Sequence, residues 1–273
     1  MKELKELGRE AEMLKERPLE LSGVADVEKK WDTLRDKSKA FEGQRDRWKF
    51  CASEVLYSDS LFFLGLNPSE PTGQDHTRFG LEKLIKYDGI FNPLRKMAAQ
   101  LDWNYSYFDL FCFRRPTAVE LPDFLSKLLE TEKGRDAVAA MIELARQAIT
   151  TARPKAIYVC NGTAKETLQG KGDLATLLRE AGLSSAFFFA SPKPIERPFP
   201  LKIIPGKTRK MHFFYTVTRM SGRPIPVVLG MDIANTHGLT KNDKEEMIAF
   251  VAQTFEKALR DPEDYYRQRP EGR

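Results

Sequence analysis

The sequence predicts an α/β fold in which a short, mainly parallel sheet is covered on both faces by helices. Short apolar runs of strand length, at 61–66, 107–113 and 155–160, recur along the chain. Between them lie longer segments whose apolar residues keep helical spacing. Strands that alternate with helices in this way connect in parallel, because each crossover returns the chain to the same edge of the sheet.

In chain order, residues 1–56 mix Lys, Glu, Asp and Arg with apolar residues at helical spacing, such as Leu4, Leu7, Ala11 and Leu14. They predict a helical extension of two or three helices, broken at Pro18 and Gly23 and packed on the main body. The main α/β domain is expected over 57–262. Its first strand, Leu61-Phe62-Phe63-Leu64-Gly65-Leu66, stops at Asn67-Pro68, and helices follow near 80–87 and 90–101. The second run is stopped by Arg114-Arg115-Pro116, with helices expected at 119–130 and 134–152. The third runs through Asn161-Gly162-Thr163 into a helix from Ala164. A strand-rich stretch follows, with strands at 186–190, 211–219 and 225–232. After a loop, Thr240 is placed to cap a long helix over about 240–259. Residues 263–273 read as a charged tail.

The net charge of +5 is unevenly spread. Between 184 and 226 eight Lys or Arg stand against one acid, Glu196, so that segment carries +7. Phe187, Phe188, Phe189, Phe199, Phe213, Phe214 and Tyr215 are interleaved with them. This strip is either a surface that tracks phosphates or a solvated hairpin whose aromatics pack inward. Cys51, Cys112 and Cys160 share no metal-ligand spacing, which argues against a zinc site, a cluster or a disulfide framework. No apolar run is long enough for a membrane span, and MKELKELGREAEMLKER is too charged for a secretory signal. The expectation is a cytoplasmic monomer without metal or cofactor.

Ligands of open parallel sheets bind at the carboxyl ends of the strands, where this chain carries Asn67, Asp109 and His237. Each has an ordinary explanation: a turn before proline, a buried Asp satisfied by Arg114 or a backbone amide, and a loop His. Together at one edge they suggest a site. The stretch Gly65-Leu66-Asn67-Pro68 through Arg78-Phe79-Gly80 resembles the first motif of the uracil-DNA glycosylase superfamily, nearest the single-strand-selective and mismatch-specific classes. The later segments fall in the family's order over about 60–259. The resemblance implies a three-layer α/β/α sandwich and a monofunctional DNA glycosylase that flips out a pyrimidine and leaves an abasic site.

Carried over by position, Asn67 places the attacking water and Phe79 stacks on the flipped base. His237 hydrogen-bonds the leaving base, and Leu239 is the wedge that fills the gap in the DNA. The loop Met220-Ser221-Gly222-Arg223 is a second candidate for the leaving-group and DNA contact, with His237 preferred. Lys207, Arg209 and Lys210 would clamp phosphates.

Two departures bear on the substrate. The family's base-reading asparagine is replaced by Asp109, which offers no donor to uracil O4 when ionised. That loss costs about 2–4 kcal/mol in a buried pocket, whereas a carboxylate accepts well from cytosine N4. Ser69, where the uracil-only class carries a tyrosine, leaves room at C5. A C5-modified cytosine, such as the hydroxymethyl or glucosylated bases of phage DNA, suits both. Uracil or mismatch repair, and a nucleic-acid-binding protein on a decayed glycosylase fold, are the alternatives. A nucleotide-processing enzyme is weaker, because no Gly-rich phosphate loop is present.

Overall fold

The computed structural model describes residues 18–41, 48–53, 55–68, 89–114, 121–183, 189, 191–195, 199–204, 207–234 and 239–269. After a short strand β1 (Leu19–Glu20) come α1 (Val24–Lys37), β2 (Val55–Leu56) and β3 (Leu61–Gly65). Then follow α2 (Asn92–Gln100), β4 (Tyr105–Asp109), α3 (Leu121–Leu129), α4 (Glu132–Ala152) and β5 (Ala156–Val159). The second half holds α5 (Gly162–Leu168), α6 (Gly172–Glu180), β6 (Lys193–Pro194), β7 (Phe199–Ile204) and β8 (Lys207–Met211). It closes with β9 (Phe214–Met220), β10 (Arg223–Leu229), α7 (Lys241–Ala258) and α8 (Pro262–Arg267).

Six strands form the central sheet in the order β4-β3-β5-β10-β9-β6. The first four run parallel, while β9 and β6 extend the sheet antiparallel. The architecture is therefore mixed α/β around a mostly parallel sheet. The central strands are apolar at successive positions because both faces are covered. Phe62, Leu64, Phe108, Ile157, Val159, Val227 and Leu229 face a core shared with α1, α3, α4, α5 and α6. Leu61, Phe63, Ala156, Tyr158 and Val228 face a second core under α2 and α7. The chain leaves β3 for β4 on one side and then crosses to β5 on the other. The gap between the carboxyl ends of β3 and β5 is thus the topological switch point.

The helix expected over Leu4, Leu7, Ala11 and Leu14 lies outside the described residues. Among the described residues the N-terminal region holds α1 and a 3-10 turn at Lys39–Phe41, preceded by β1, which pairs antiparallel with β2. It is not peripheral. Trp31 is fully buried, stacks on Phe113 at 4.7 Å and meets Phe41 edge-on at 5.4 Å. Its indole N–H donates to the Trp48 carbonyl at 2.6 Å, and Trp48 stacks on Phe124 at 3.6 Å. Five aromatic residues from three segments thus join α1 to the sheet and to α3.

The run expected at 107–113 is a strand only to Asp109. Leu110 and Phe111 continue beside Gly65 and Leu66, their amides donating at 3.2 and 2.8 Å. Residues 112–114 then peel away to pair antiparallel with 49–51, through Cys51 N to Cys112 O and Arg114 N to Lys49 O. Backbone demand explains the change, since past the sheet's edge a new partner strand must accept these groups.

Two further expectations are corrected. The charged tail begins as α8, capped by Asp261 with Pro262 in its first turn. It docks on β9 through the Tyr215 hydroxyl, which donates to Pro262 O at 3.1 Å, and through an edge-on Tyr215–Tyr265 contact. In the basic stretch, Phe189, Phe213 and Tyr215 are core residues, so they offer no stacking platform for bases. Lys207, Arg209 and Lys210 lie on β8, in a separate two-stranded hairpin with β7 where Arg209 pairs Leu201 and Lys210 pairs Pro200. Thr240 caps α7 as expected, in a reciprocal capping box with Asp243. No helix among the described residues is long and apolar enough to cross a membrane.

Because Trp31 fills a site built from three segments, Trp31→Ala should cost roughly 3–5 kcal/mol. Thermal unfolding with limited proteolysis is the measurement. A detachable arm would instead leave the melting of the main body unchanged.

Candidate active site

Asn67 lies two residues past the end of β3, at the switch point. Its side-chain amide N–H donates to Pro68 O at 3.3 Å, which leaves the amide carbonyl Oδ1 as the acceptor of this half-buried side chain. Asp109 is the last residue of the neighbouring strand and pairs in register with Gly65. Sequence reading placed both at one edge, and both do stand at the carboxyl ends of adjacent parallel strands.

Asp109 is almost fully buried. Its Oδ1 accepts from the Tyr107 hydroxyl at 2.8 Å, while Oδ2 has no partner and is closed to solvent. Arg114 does not satisfy it, nor does a backbone amide. Burial of the carboxyl, with only one hydrogen bond opposing it, pushes its pKa up to about 7. The Tyr107 hydroxyl is itself driven well above its ordinary range by burial and by the Asp109 charge beside it. It is therefore a fixed neutral donor. Asp109 sits where its proton is gained or lost near neutral pH, so its free oxygen presents either a donor or an acceptor.

Glycine at 65 makes this pair possible. A Cβ there would lie 2.1 Å from Asp109 Oδ1 and 2.4 Å from the Tyr107 hydroxyl oxygen. The arrangement is repeated two strands away, at Gly230, where a Cβ would fall 2.3 Å from the Tyr158 hydroxyl. That hydroxyl donates to Met231 O at 2.9 Å and accepts from Met231 N at 3.2 Å. The chain leaving β10 is thereby clamped to β5. Asp232 follows directly and is near enough to help raise the Tyr107 hydroxyl and the Cys160 thiol. Sequence reading missed Asp232. The signal available was its place three residues beyond a strand end, at the edge where ligands bind.

Asn161, after β5, turns its side chain to Ala164 N at 3.0 Å as the cap of α5, a structural task. Leu239 is half-buried against the α7-side core and does not stand free as a wedge. The Ser221–Arg223 turn lies at the opposite edge of the sheet. Arg223 there donates to Pro154 O at 3.0 Å and pairs with Asp59 at 3.4 Å, next to the starts of β5 and β3. This alternative loop is therefore remote from Asn67 and Asp109, because β10 begins where the site's strands begin and ends where they end. Ser69, Phe79 and His237 lie outside the described residues.

Asp109 gives a stability signature. Its folded pKa is raised above the ordinary 3.8, so its contribution is fully present below that value and lost as pH rises through about 7. Asp109→Asn cannot ionise. Its melting temperature relative to the parent should therefore climb from pH 4 to pH 8, by up to about 4 kcal/mol in stability. Calorimetry across that range checks it, and a flat difference would mean an accessible, ordinary carboxylate.

No protein-family model matches the chain, and no curated protein is significantly similar to it.

Proposed function

We propose that this protein is a DNA glycosylase, of the uracil-DNA glycosylase kind, that hydrolyses the N-glycosidic bond of a flipped-out pyrimidine, a C5-modified cytosine. The observation that carries this reading is the buried Asp109 carboxyl, with one oxygen unpartnered, at the end of the strand that pairs with the one leading into Asn67. The mostly parallel sheet with helices on both faces is compatible with the superfamily's α/β/α sandwich.

In such a reaction the C1′–N1 bond breaks and its electrons leave with the base. The sugar passes through an oxocarbenium-like state, to which water adds. An amide is a weak base, and Asn67 Oδ1 suits the task of placing that water rather than deprotonating it. The base lies with its edge toward Asp109. The ionised carboxylate accepts from the N4 amino group of cytosine, and Tyr107 keeps the carboxyl oriented by holding Oδ1. Oδ2 is closed to solvent, so a base reaches it only by displacing what covers it. Room at C5 rests on Ser69 and the leaving-group contact on His237, both read from the sequence.

Base release is to be measured on duplex and single-stranded DNA carrying uracil, cytosine, hydroxymethylcytosine or its glucosylated form, with abasic sites revealed by alkali. Release confined to a modified cytosine, and lowered at least about 100-fold in Asn67→Ala, is the expected result. Uracil release alone would return the enzyme to a repair role, and no release would favour a nucleic-acid-binding protein.

The pH profile should follow Asp109. Release of the modified cytosine rises through about pH 7 as the carboxyl ionises, because only the ionised form accepts with both oxygens. Asp109→Asn should flatten that rise and shift preference toward uracil. A profile unchanged in Asp109→Asn would remove Asp109 as the base reader.

A further inference from the structure

Arg114 is 3% exposed, and its Nε and Nη2 are closed to solvent without any hydrogen-bond partner. These two atoms form one side of the guanidinium fork, whose parallel N–H bonds match two oxygens of a phosphate or carboxylate. An unpaired guanidinium out of water is costly, and natural interiors pair nearly all such groups.

The fork is held in place by the packing around it. Arg114 N donates to Lys49 O at 3.1 Å, and the neighbouring Phe113 bridges to Phe50. Phe113 stacks on Trp31, and Trp48 stacks on Phe124, so the pairing of 49–51 with 112–114 is set in an aromatic core. The position is also tied to the candidate site through the chain. Phe111 donates to Leu66, next to Asn67, and Arg114 follows three residues later, at most about 11 Å along the chain. In the sequence of these two segments Arg45, Arg47, Lys49, Arg114 and Arg115 stand against Glu42 and Asp46. A polyanion suits this setting better than a lone carboxylate.

The geometry points to Arg114 as a phosphate-binding residue that grips one phosphodiester of a nucleic-acid strand, next to the nucleotide seated at Asn67 and Asp109. This rests on the nucleic-acid half of the proposed function and not on bond cleavage. A fork fixed in the fold sets the register of the strand, so that one nucleotide meets the switch point. A strand phosphate would supply both missing acceptors at once.

The test is binding, with no turnover needed. Oligonucleotides carry a single uncharged methylphosphonate, moved one linkage at a time along the strand. Affinity is read by fluorescence anisotropy for the parent, Arg114→Gln and Arg114→Lys. The parent should lose about 10- to 100-fold in affinity at one linkage beside the target nucleotide. Arg114→Gln should bind the unmodified strand more weakly by a similar factor and show no further loss at that linkage. Arg114→Lys keeps the charge without the fork, guards against a folding defect, and should recover only part of the affinity. Parent binding with no linkage coupled to Arg114 overturns the inference and leaves DNA binding intact. Thermal stabilisation of the parent but not Arg114→Gln by millimolar inorganic phosphate, again without a coupled linkage, would assign the fork to a free phosphate and overturn the strand contact. Loss of base release with the coupling retained would sink the glycosylase reading and leave the phosphate grip standing.

Discussion

The hydrogen bond from the Tyr107 hydroxyl to a carboxyl oxygen of Asp109 governs the edge of this sheet. It places a titratable group in a site closed to water and leaves one oxygen without a partner. For the bond to exist, Gly65 must carry no side chain, and β3 and β4 must pair in the register that sets Gly65 beside Asp109. Register, glycine and tyrosine are thus one arrangement. A shift of one residue in β4 would send Asp109 and Tyr107 to the opposite face.

Two tyrosines lie over two glycines at this edge, one over Gly65 and one over Gly230. The first orients a side chain, the second fixes a backbone turn at Met231. The edge is therefore built around phenol hydroxyls clamped in place, which suits a site that must hold polar groups in fixed directions. The opposite edge is tied by Arg223 to Pro154 and Asp59 at the surface, and by the buried Ser60–Ser106 hydroxyl pair between β3 and β4.

Much of the layer order was legible because its signals are local. Unbroken apolar runs marked β3, β4 and β5, and Thr240 with Asp243 three residues on marked the start of α7. Asn67 and Asp109 were legible as strand-end polar residues. What escaped depends on contacts distant in sequence. Nothing local tells that Phe113 leaves the sheet to bridge Phe50, that Trp31 stacks on it, or that Tyr107 rather than Arg114 meets Asp109. The basic aromatic strip stayed open for a related reason: Phe213 and Tyr215 carry a pattern common to stacking surfaces and to cores, and burial alone separates the two. The Ser-Gly turn misled because its sequence does not say at which end of a strand it falls.

The aromatic cluster around Trp31 also sets an order of events during synthesis. Trp31 emerges from the ribosome some eighty residues before Phe113 and more than ninety before Phe124, the rings that bury it. Until they arrive α1 has no surface to lie on, and its apolar face is exposed to whatever is nearby. The first helix among the described residues is thus among the last of this half to dock. A nascent chain stalled before residue 124 would display Trp31, Phe41 and Trp48 together, a patch of the kind that chaperones hold.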